Sequence, residues 1–194
     1  QWISLNTAKS QDFGISVQNM NSSAKLALIR DLYSDAVTLL ENRDNLIPLK
    51  NLDRIKIATV SVNGSDLGIF REMAGRYTHA DNYDISATAS GAESAEKTFE
   101  MLKNYDVVLA GISGLTQKPQ ENFGITPELR SVVSRLSGLK NCIISWFGNP
   151  YGIAKLSIGT SPAGLLVTYQ NNHFTQELVS EIIFGATGAS GRLP

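Results

Sequence analysis

The sequence is poor in cysteine, in net charge and in long apolar runs, and each absence excludes a class of protein. Cys142 is the single cysteine in 194 residues, so a disulfide within the chain and a cysteine-based zinc site are both excluded. The formal net charge is −1, which gives the chain no general attraction for nucleic acid or anionic membranes. No apolar stretch reaches the ~18 residues that a membrane helix needs. We therefore expect neither nucleic acid nor a membrane as a partner.

Motifs for nucleotide binding and for serine-type catalysis are missing too. The glycines on either side of Asn149 have the wrong spacing for a phosphate-binding loop, and no Lys-Ser or Lys-Thr follows them. Residues 111–115 and 188–192 each approach the Gly-x-Ser-x-Gly turn of hydrolases, but Leu115 and Arg192 stand where the second glycine is required. The sequence therefore predicts no cofactor and no serine nucleophile.

The histidines and aspartates form no metal-binding or phosphoacceptor pattern. His79 and His173 are far apart in sequence, and neither has a metal-ligating neighbour at helical spacing. Asp106 opens a predicted strand rather than ending it, and no acidic pair precedes it. We interpret Asp66 and Asp106 as structural residues and predict no metal site.

Composition and periodicity predict a single α/β domain. Hydrophobic residues make up 42% of the chain and charged residues 18%, as is typical of globular domains. Apolar runs and helical patterns alternate, which predicts a mostly parallel sheet covered by helices on both faces. Predicted strands cover residues 55–62, 80–85 (a weak edge strand), 106–112, 141–147 and 164–169; predicted helices cover residues 24–42, 67–77, 93–103, 126–136 and 175–184.

Two further expectations follow from the same patterns. Cys142 lies inside a predicted central strand, where a buried small hydrophobic residue is far more common than a nucleophile. Residues 1–20 are polar and poorly periodic, so we predict a linker or wrapping segment there, followed by one domain over residues 21–194.

Two motifs give the chain a family resemblance. Residues 35–50 read Asp-Ala-Val-Thr-Leu-Leu-Glu-Asn-Arg-Asp-Asn-Leu-Ile-Pro-Leu-Lys, and residues 184–194 read Phe-Gly-Ala-Thr-Gly-Ala-Ser-Gly-Arg-Leu-Pro. Their order, with the strand–helix alternation between them, resembles the C-terminal domain of glycoside hydrolase family 3. The resemblance covers the chain from about residue 21 onward and implies a three-layer α/β sandwich.

The resemblance also implies a partner and a division of labour. Family members of this architecture carry the nucleophilic aspartate on an N-terminal catalytic barrel, and this chain holds no such barrel. The resemblance therefore implies an accessory domain that is inactive alone, with the barrel of the same parent chain and a carbohydrate substrate as its partners. It further implies a periplasmic or secreted parent and, after Pro194, a possible downstream domain.

The loop after the strand at residues 106–112 separates two branches of the family. In the β-glucosidase branch this loop supplies an acid/base glutamate within Glu-Gly-x-Asp. Here Glu121 is the only carboxylate of the loop, Asn122 stands in place of the glycine and Gly124 in place of the aspartate. The departure, together with Thr38, resembles the β-N-acetylhexosaminidase branch, whose acid/base lies on the barrel. Glu121 stays a candidate catalytic residue, against the alternative of a solvated loop glutamate.

Polar loops after the other strands supply candidate substrate-binding residues. Asn149, Tyr151 and Asn171 follow predicted strands, and ligands of open parallel sheets meet the loops at the carboxyl ends of strands. Such side chains suit sugar hydroxyls, but asparagine also suits any turn. Both interpretations stay open for each residue.

Two other functions remain alternatives: an independent carbohydrate-binding module, and a structural spacer between the barrel and a downstream domain. The accessory-domain hypothesis predicts an apolar or aromatic docking surface for the barrel, with Trp2, Phe13 and Tyr151 as candidates. A binding module would instead show measurable saccharide affinity by itself.

Overall fold

Six strands form one sheet in the computed structural model, which describes residues 22–64, 66–156 and 161–193. The strands are β1 (Thr38–Asn42), β2 (Ile57–Val62), β3 (Ala80–Ile85), β4 (Val107–Ile112), β5 (Cys142–Trp146) and β6 (Gly164–Val167). The helices are α1 (Ser23–Ala36), α2 (Gly68–Tyr77), α3 (Ala92–Leu102), α4 (Pro127–Ser137), α5 (Pro150–Leu156) and α6 (His173–Phe184). Short 3-10 turns cover Arg43–Asn45, Ala89–Gly91 and Pro119–Gly124.

The sheet is mostly parallel, as the sequence predicts. Its strand order is β1-β6-β5-β4-β2-β3, and β1 alone among these strands runs antiparallel to its neighbour. Every residue of β2 and β4 is buried, because helices cover both faces of a parallel sheet. At the edge, β3 exposes charged side chains, including Asp81 and Asp84, which protect an unpaired strand from association with other chains.

Two apolar clusters fill the spaces on the two faces of the sheet. One cluster contains Phe99 of α3 and Val133 of α4. The other contains Phe70 of α2 and Ile183 of α6. Alternate residues of each strand contribute to opposite clusters, as the two-residue period of a strand requires. The predicted three-layer α/β sandwich is therefore confirmed.

The predicted helix over residues 24–42 is wrong beyond Ala36. The helix ends there, and Thr38–Asn42 forms β1, paired with β6. The backbone groups of β1 gain sheet partners, which outweighs the helical spacing of Val37 and Leu40 because tertiary pairing overrides weak local propensity. The side chain of Asn42 then closes the turn: its Nδ2 donates to Ile47 O at 2.8 Å and its Oδ1 accepts from Ile47 N at 2.9 Å.

Other differences from the predicted elements are small, apart from one missed helix. The strands and helices begin and end within two or three residues of the predicted bounds. Helix α5 was not predicted, because it has seven residues and contains Gly152, a poor helix former. Pro150 begins this helix, where proline is well tolerated.

The chain separates into two compact units, residues 1–32 and residues 33–194. In the first unit the structure describes residues 22–32, a helical segment with exposed Leu26, Leu28 and Leu32. The predicted linker over residues 1–20, with Trp2 and Phe13, lies outside the described residues. In the described ranges, none of the helices has the length and apolar character to cross a membrane.

The two motifs that carry the family resemblance contact each other in the second unit. Gly191 N of the second motif donates to Val37 O of the first at 3.1 Å, and Leu49 N donates at 2.8 Å to the carbonyl of Ile183, one residue before the second motif. Gly185 ends α6 in the left-handed conformation, with φ 84°, which glycine adopts without steric cost. The motifs are distant in sequence but contact each other in the fold.

Gly191 provides a test of this packing. A Cβ atom added there would lie 2.3 Å from Ala36 O and 2.6 Å from Val37 O, and both are backbone atoms with little freedom to move. We expect Gly191→Ala to lower the free energy of unfolding by about 1–3 kcal/mol, the usual cost of overpacking. Urea unfolding of the purified chain measures it.

Gly188→Ala is the matched control. A Cβ atom at Gly188 meets nothing within 4 Å, so this substitution should leave the unfolding midpoint nearly unchanged. Equal midpoints for the two variants would contradict the proposed contact between the motifs.

Candidate functional site

The connections of the sheet create a crevice at the carboxyl ends of β2 and β4. These two strands are neighbours, but α2 follows β2 on one face and α4 follows β4 on the other. Loops that leave adjacent parallel strands toward opposite faces separate, and ligands of open α/β sheets bind in the resulting crevice. The candidate site is therefore the carboxyl edge, which we define as the loops after β2, β4, β5 and β6.

Asp66 joins three of these loop regions. Its carboxylate accepts a hydrogen bond from Ser113 Oγ at 2.8 Å and another from Asn171 Nδ2. Ser113 directly follows β4, and Asn171 lies after β6. Because both carboxylate oxygens have neutral partners within the protein, Asp66 fixes the loops in place, in agreement with its interpretation as a structural residue.

Gln176 holds the same region from helix α6. Its side chain is buried, with 3% exposure. Its Oε1 accepts from Phe70 N at 3.0 Å, and its Nε2 donates to Asp66 O and to Asn171 Oδ1, both at 2.7 Å. One amide thus fixes the start of α2, the loop after β2 and the loop after β6.

The sequence analysis did not identify Gln176 as a site residue, although its position among apolar residues is a signal. It lies three residues before Val179 and seven before Ile183, both fully buried residues of α6. A glutamine within such an apolar stripe marks a buried amide that must find partners inside the protein.

The loop after β4 carries Glu121 on a tight turn. Thr116 N donates to Phe123 O at 3.1 Å, and Phe123 is buried with φ 56°. The Glu121 side chain is 45% exposed and lies 2.8 Å from Lys118 Nζ. The structure therefore places Glu121 at the carboxyl edge, on the surface and beside a cation.

The other three predicted site residues lie at the same edge, in unequal roles. Asn149 Oδ1 accepts from Tyr151 N at 3.0 Å, so this side chain stabilises the start of α5. The Asn171 amide is engaged by Asp66 and Gln176, as described above. Tyr151 is 65% exposed. Of the three side chains, its ring is the one that is available to a ligand.

Tyr169 is a further residue that the sequence analysis did not single out. It follows β6 in the left-handed region, with φ 64°, which is uncommon for an aromatic residue and marks a constrained position. Its hydroxyl lies 3.3 Å from Thr38 Oγ1, and its carbonyl accepts from Gln117 Nε2 at 2.8 Å. The residue therefore links β1, the loop after β4 and the loop after β6.

The histidines and the cysteine have no catalytic arrangement. His79 lies 3.5 Å from Asp81 at the surface, and His173 packs on Phe174. Within the described ranges, no three histidine, cysteine, aspartate or glutamate side chains are grouped to hold a metal ion. Cys142 is fully buried, as the sequence predicts, and burial raises the pKa of its thiol, which disfavours the reactive thiolate.

A separate cavity of about 660 Å³ lies at the amino ends of β2 and β3. A chain of hydrogen bonds lines it: Tyr83 and Tyr105 hydroxyls lie 2.7 Å apart, and Tyr105 donates to Asp81 at 2.8 Å. The hydrogen bond with Tyr83, then burial and Asp81, raise the pKa of Tyr105. This cavity lies at the opposite end of the strands from the carboxyl edge, and none of the predicted site residues lines it.

Comparison with known proteins places the fold but not a family. No family model and no curated protein matches the chain. Among solved structures, a fungal multi-domain GH3 β-N-acetylglucosaminidase is similar over 91% of this chain and 19% of its own, with 20% identity and a TM-score of 0.69. A family 3 β-N-acetylglucosaminidase from Paenibacillus is similar over 100% of this chain and 35% of its own, with 14% identity and a TM-score of 0.68.

A β-glucosidase from Listeria innocua, solved with glucose, is similar over 87% of this chain and 26% of its own, with 16% identity and a TM-score of 0.61. The chain thus spans about a fifth to a third of the length of these structures. At such low identities the likeness establishes a shared fold, and both kinds of glycosidase contain it.

The Gln176 network yields a direct stability test. Gln176→Leu keeps the size of the side chain but leaves Phe70 N without a partner in a buried place, and it removes the partly buried bonds to Asp66 O and Asn171 Oδ1. We expect the free energy of unfolding to fall by about 1–3 kcal/mol, the usual cost of one buried group left unpaired. Urea unfolding, with amide chemical shifts of residues 66–70 as a local probe, measures the effect.

Gln120→Leu makes the same chemical change at an exposed position of the loop after β4 and should change stability little. Two variants of equal stability would show that the Gln176 hydrogen bonds do not hold the edge together.

Proposed function

We propose that this chain is the C-terminal accessory domain of a family 3 glycoside hydrolase that acts on β-linked N-acetylglucosamine. The observation that carries the proposal is the shared fold: nearly all of this chain matches a fifth to a third of the length of family 3 glycosidases. The contact between the two motifs that resemble the ends of the family's domain agrees with it. The parent polypeptide would add an N-terminal catalytic barrel and, by the same resemblance, would be periplasmic or secreted.

The arrangement of carboxylates favours an accessory role over a catalytic one. A retaining glycosidase needs two carboxyl-type groups about 5 Å apart. In the loop after β4 Glu121 is the only carboxylate, and its partner is the cation of Lys118. Asp66, the acidic residue of the neighbouring loop after β2, is engaged by Ser113 and Asn171. On this account both catalytic groups belong to the barrel.

The carboxyl edge is the surface that we propose for the substrate cleft. Tyr151 offers an exposed aromatic ring at the end of β5, and aromatic rings present an apolar face with a polar rim, which suits a sugar. Asn149 positions the backbone that carries this ring, and Asn171 lies at the same edge, where Asp66 and Gln176 engage its amide. Of the three predicted residues, Tyr151 would contribute most to binding.

Exposed leucines on the first unit support a docking role. Leu26, Leu28 and Leu32 lie on the described part of α1 and are exposed. A helix with exposed apolar side chains gains stability by covering them. We propose the catalytic barrel as the partner that covers them; the other candidates, Trp2 and Phe13, lie outside the described residues.

A β-glucosidase-type domain is the second candidate, and the position of Glu121 favours it. The residue lies at the carboxyl edge on the loop after β4, where a domain of that branch supplies its acid/base. The absence of the Glu-Gly-x-Asp pattern and the ion pair with Lys118 count against it.

Kinetics of the parent protein separate the two. We expect the parent to prefer a chromogenic β-N-acetylglucosaminide over the β-glucoside, and Glu121→Gln to change kcat little. Glu128→Gln, at an exposed position of α4, is the control. If the glucoside is preferred and Glu121→Gln alone lowers kcat by roughly 100-fold or more, as loss of a general acid does, Glu121 is catalytic and the branch assignment is wrong.

The isolated chain tests the remaining alternative. An accessory domain should neither hydrolyse these substrates nor bind N-acetylglucosamine strongly by itself, since it supplies one wall of a cleft. Saturable saccharide binding by the isolated chain, measured by calorimetry and lost in Tyr151→Ala, would favour an independent carbohydrate-binding module.

A further inference from the structure

A second cavity opens beside the crevice, between the ends of β2 and β3 and the start of α2. Its volume is about 540 Å³. The lining residues that could bind a ligand through side-chain or backbone groups include Ser61, Gly64, Gly68, Arg71 and Asp84. None of these residues has a part in the function proposed above.

Ser61 gives the cavity a buried hydroxyl. The residue is 1% exposed, and within the described part of the chain its Oγ has no hydrogen-bond partner. It pairs with Asp84 in the parallel register of β2 and β3, so the two side chains share the face that α2 covers. A buried hydroxyl without a partner costs free energy unless something in the cavity bonds to it.

Arg71 adds a second unused donor, with a positive charge. Its Nη2 donates to Tyr83 O and to Asp84 Oδ1, both at 2.6 Å, and these bonds hold the guanidinium in one orientation. Its Nε is buried and, among the described residues, has no partner. The Asp84 side chain is 72% exposed, so water screens its charge more than that of the half-buried arginine.

The start of α2 faces the same cavity. The first turn of a helix leaves backbone N–H groups without intrahelical partners, and the helix dipole makes this end positive. Phe70 N is already bound by Gln176, and Gly68, the first residue of the helix, lines the cavity. A Cβ atom at Gly68 would meet nothing within 4 Å, so a ligand has open access to the backbone there.

We propose that this cavity binds an oxyanion, either free phosphate or sulfate or the same group carried by a larger molecule. The groups without partners among the described residues are a hydroxyl and a guanidinium N–H, and the start of α2 lines the same cavity. A ligand that accepts hydrogen bonds therefore fits the cavity. The single cation and the helix terminus favour a negative charge. We name this cavity the α2 anion site.

Titration of the ¹⁵N-labelled chain with inorganic phosphate tests the proposal. Amide signals of Gly64, Gly68 and Arg71 should shift and saturate, whereas sodium chloride at equal ionic strength should not reproduce the shifts. Arg71→Gln should weaken binding about tenfold, the usual worth of a charge-assisted hydrogen bond, and Ser61→Ala should weaken it by a smaller factor.

Two further variants make the test specific. Arg76→Gln lies on the same helix, pairs with Glu72 and should bind phosphate as the parent sequence does. Asp84→Asn removes the carboxylate that competes for Arg71 and should tighten binding. Both remain informative if Arg71→Gln fails to fold.

A phosphate monoester, glucose 6-phosphate, separates the two sources of the ligand. Tighter binding than inorganic phosphate indicates a carried group, and equal or weaker binding indicates the free anion. Failure to saturate, equal losses in Arg71→Gln and Arg76→Gln, or weaker binding by Asp84→Asn would overturn the α2 anion site. None of these outcomes depends on the glycosidase proposal.

Discussion

One buried amide, the side chain of Gln176, governs the geometry of the carboxyl edge. It is placed by α6 and bonds to the start of α2, to the loop after β2 and to the loop after β6. An amide in an apolar interior is stable only when its donors and acceptors are all paired. This requirement fixes where two loops and one helix can lie, and the crevice between β2 and β4 takes its shape from them.

The loops that Gln176 does not bind are the ones with exposed polar and aromatic side chains. Glu121 and Tyr151 lie on the connections after β4 and β5, where nothing comparable ties the side chains down. A rigid base with accessible side chains beside it is the usual arrangement of a binding surface on an α/β sheet. Under the proposed function, such a surface would form one wall of the substrate cleft without providing the reacting groups.

Periodicity predicted most of the fold but not the contacts that hold the edge. The buried strands β2, β4 and β5 are continuous apolar runs, so their existence and parallel arrangement followed from the sequence. The end of α1 could not be predicted in this way, because residues 38–42 suit a helix locally and become a strand through pairing with β6. Of the candidate site, the position of Asn149, Tyr151 and Asn171 at the carboxyl edge was predictable from strand order. The engagement of Asn171 by Asp66 was not, because it joins residues 105 positions apart.

Hydrogen–deuterium exchange tests most directly the proposal that the carboxyl edge forms one wall of a cleft shared with a catalytic barrel. The exchange of residues 1–194 alone would be compared with that of the same residues within the parent polypeptide, since burial at an interface slows amide exchange. The account predicts slower exchange in the parent at residues 113–124, 148–151 and 168–172. Unchanged exchange in these three loops, with protection confined to other surfaces, would contradict it.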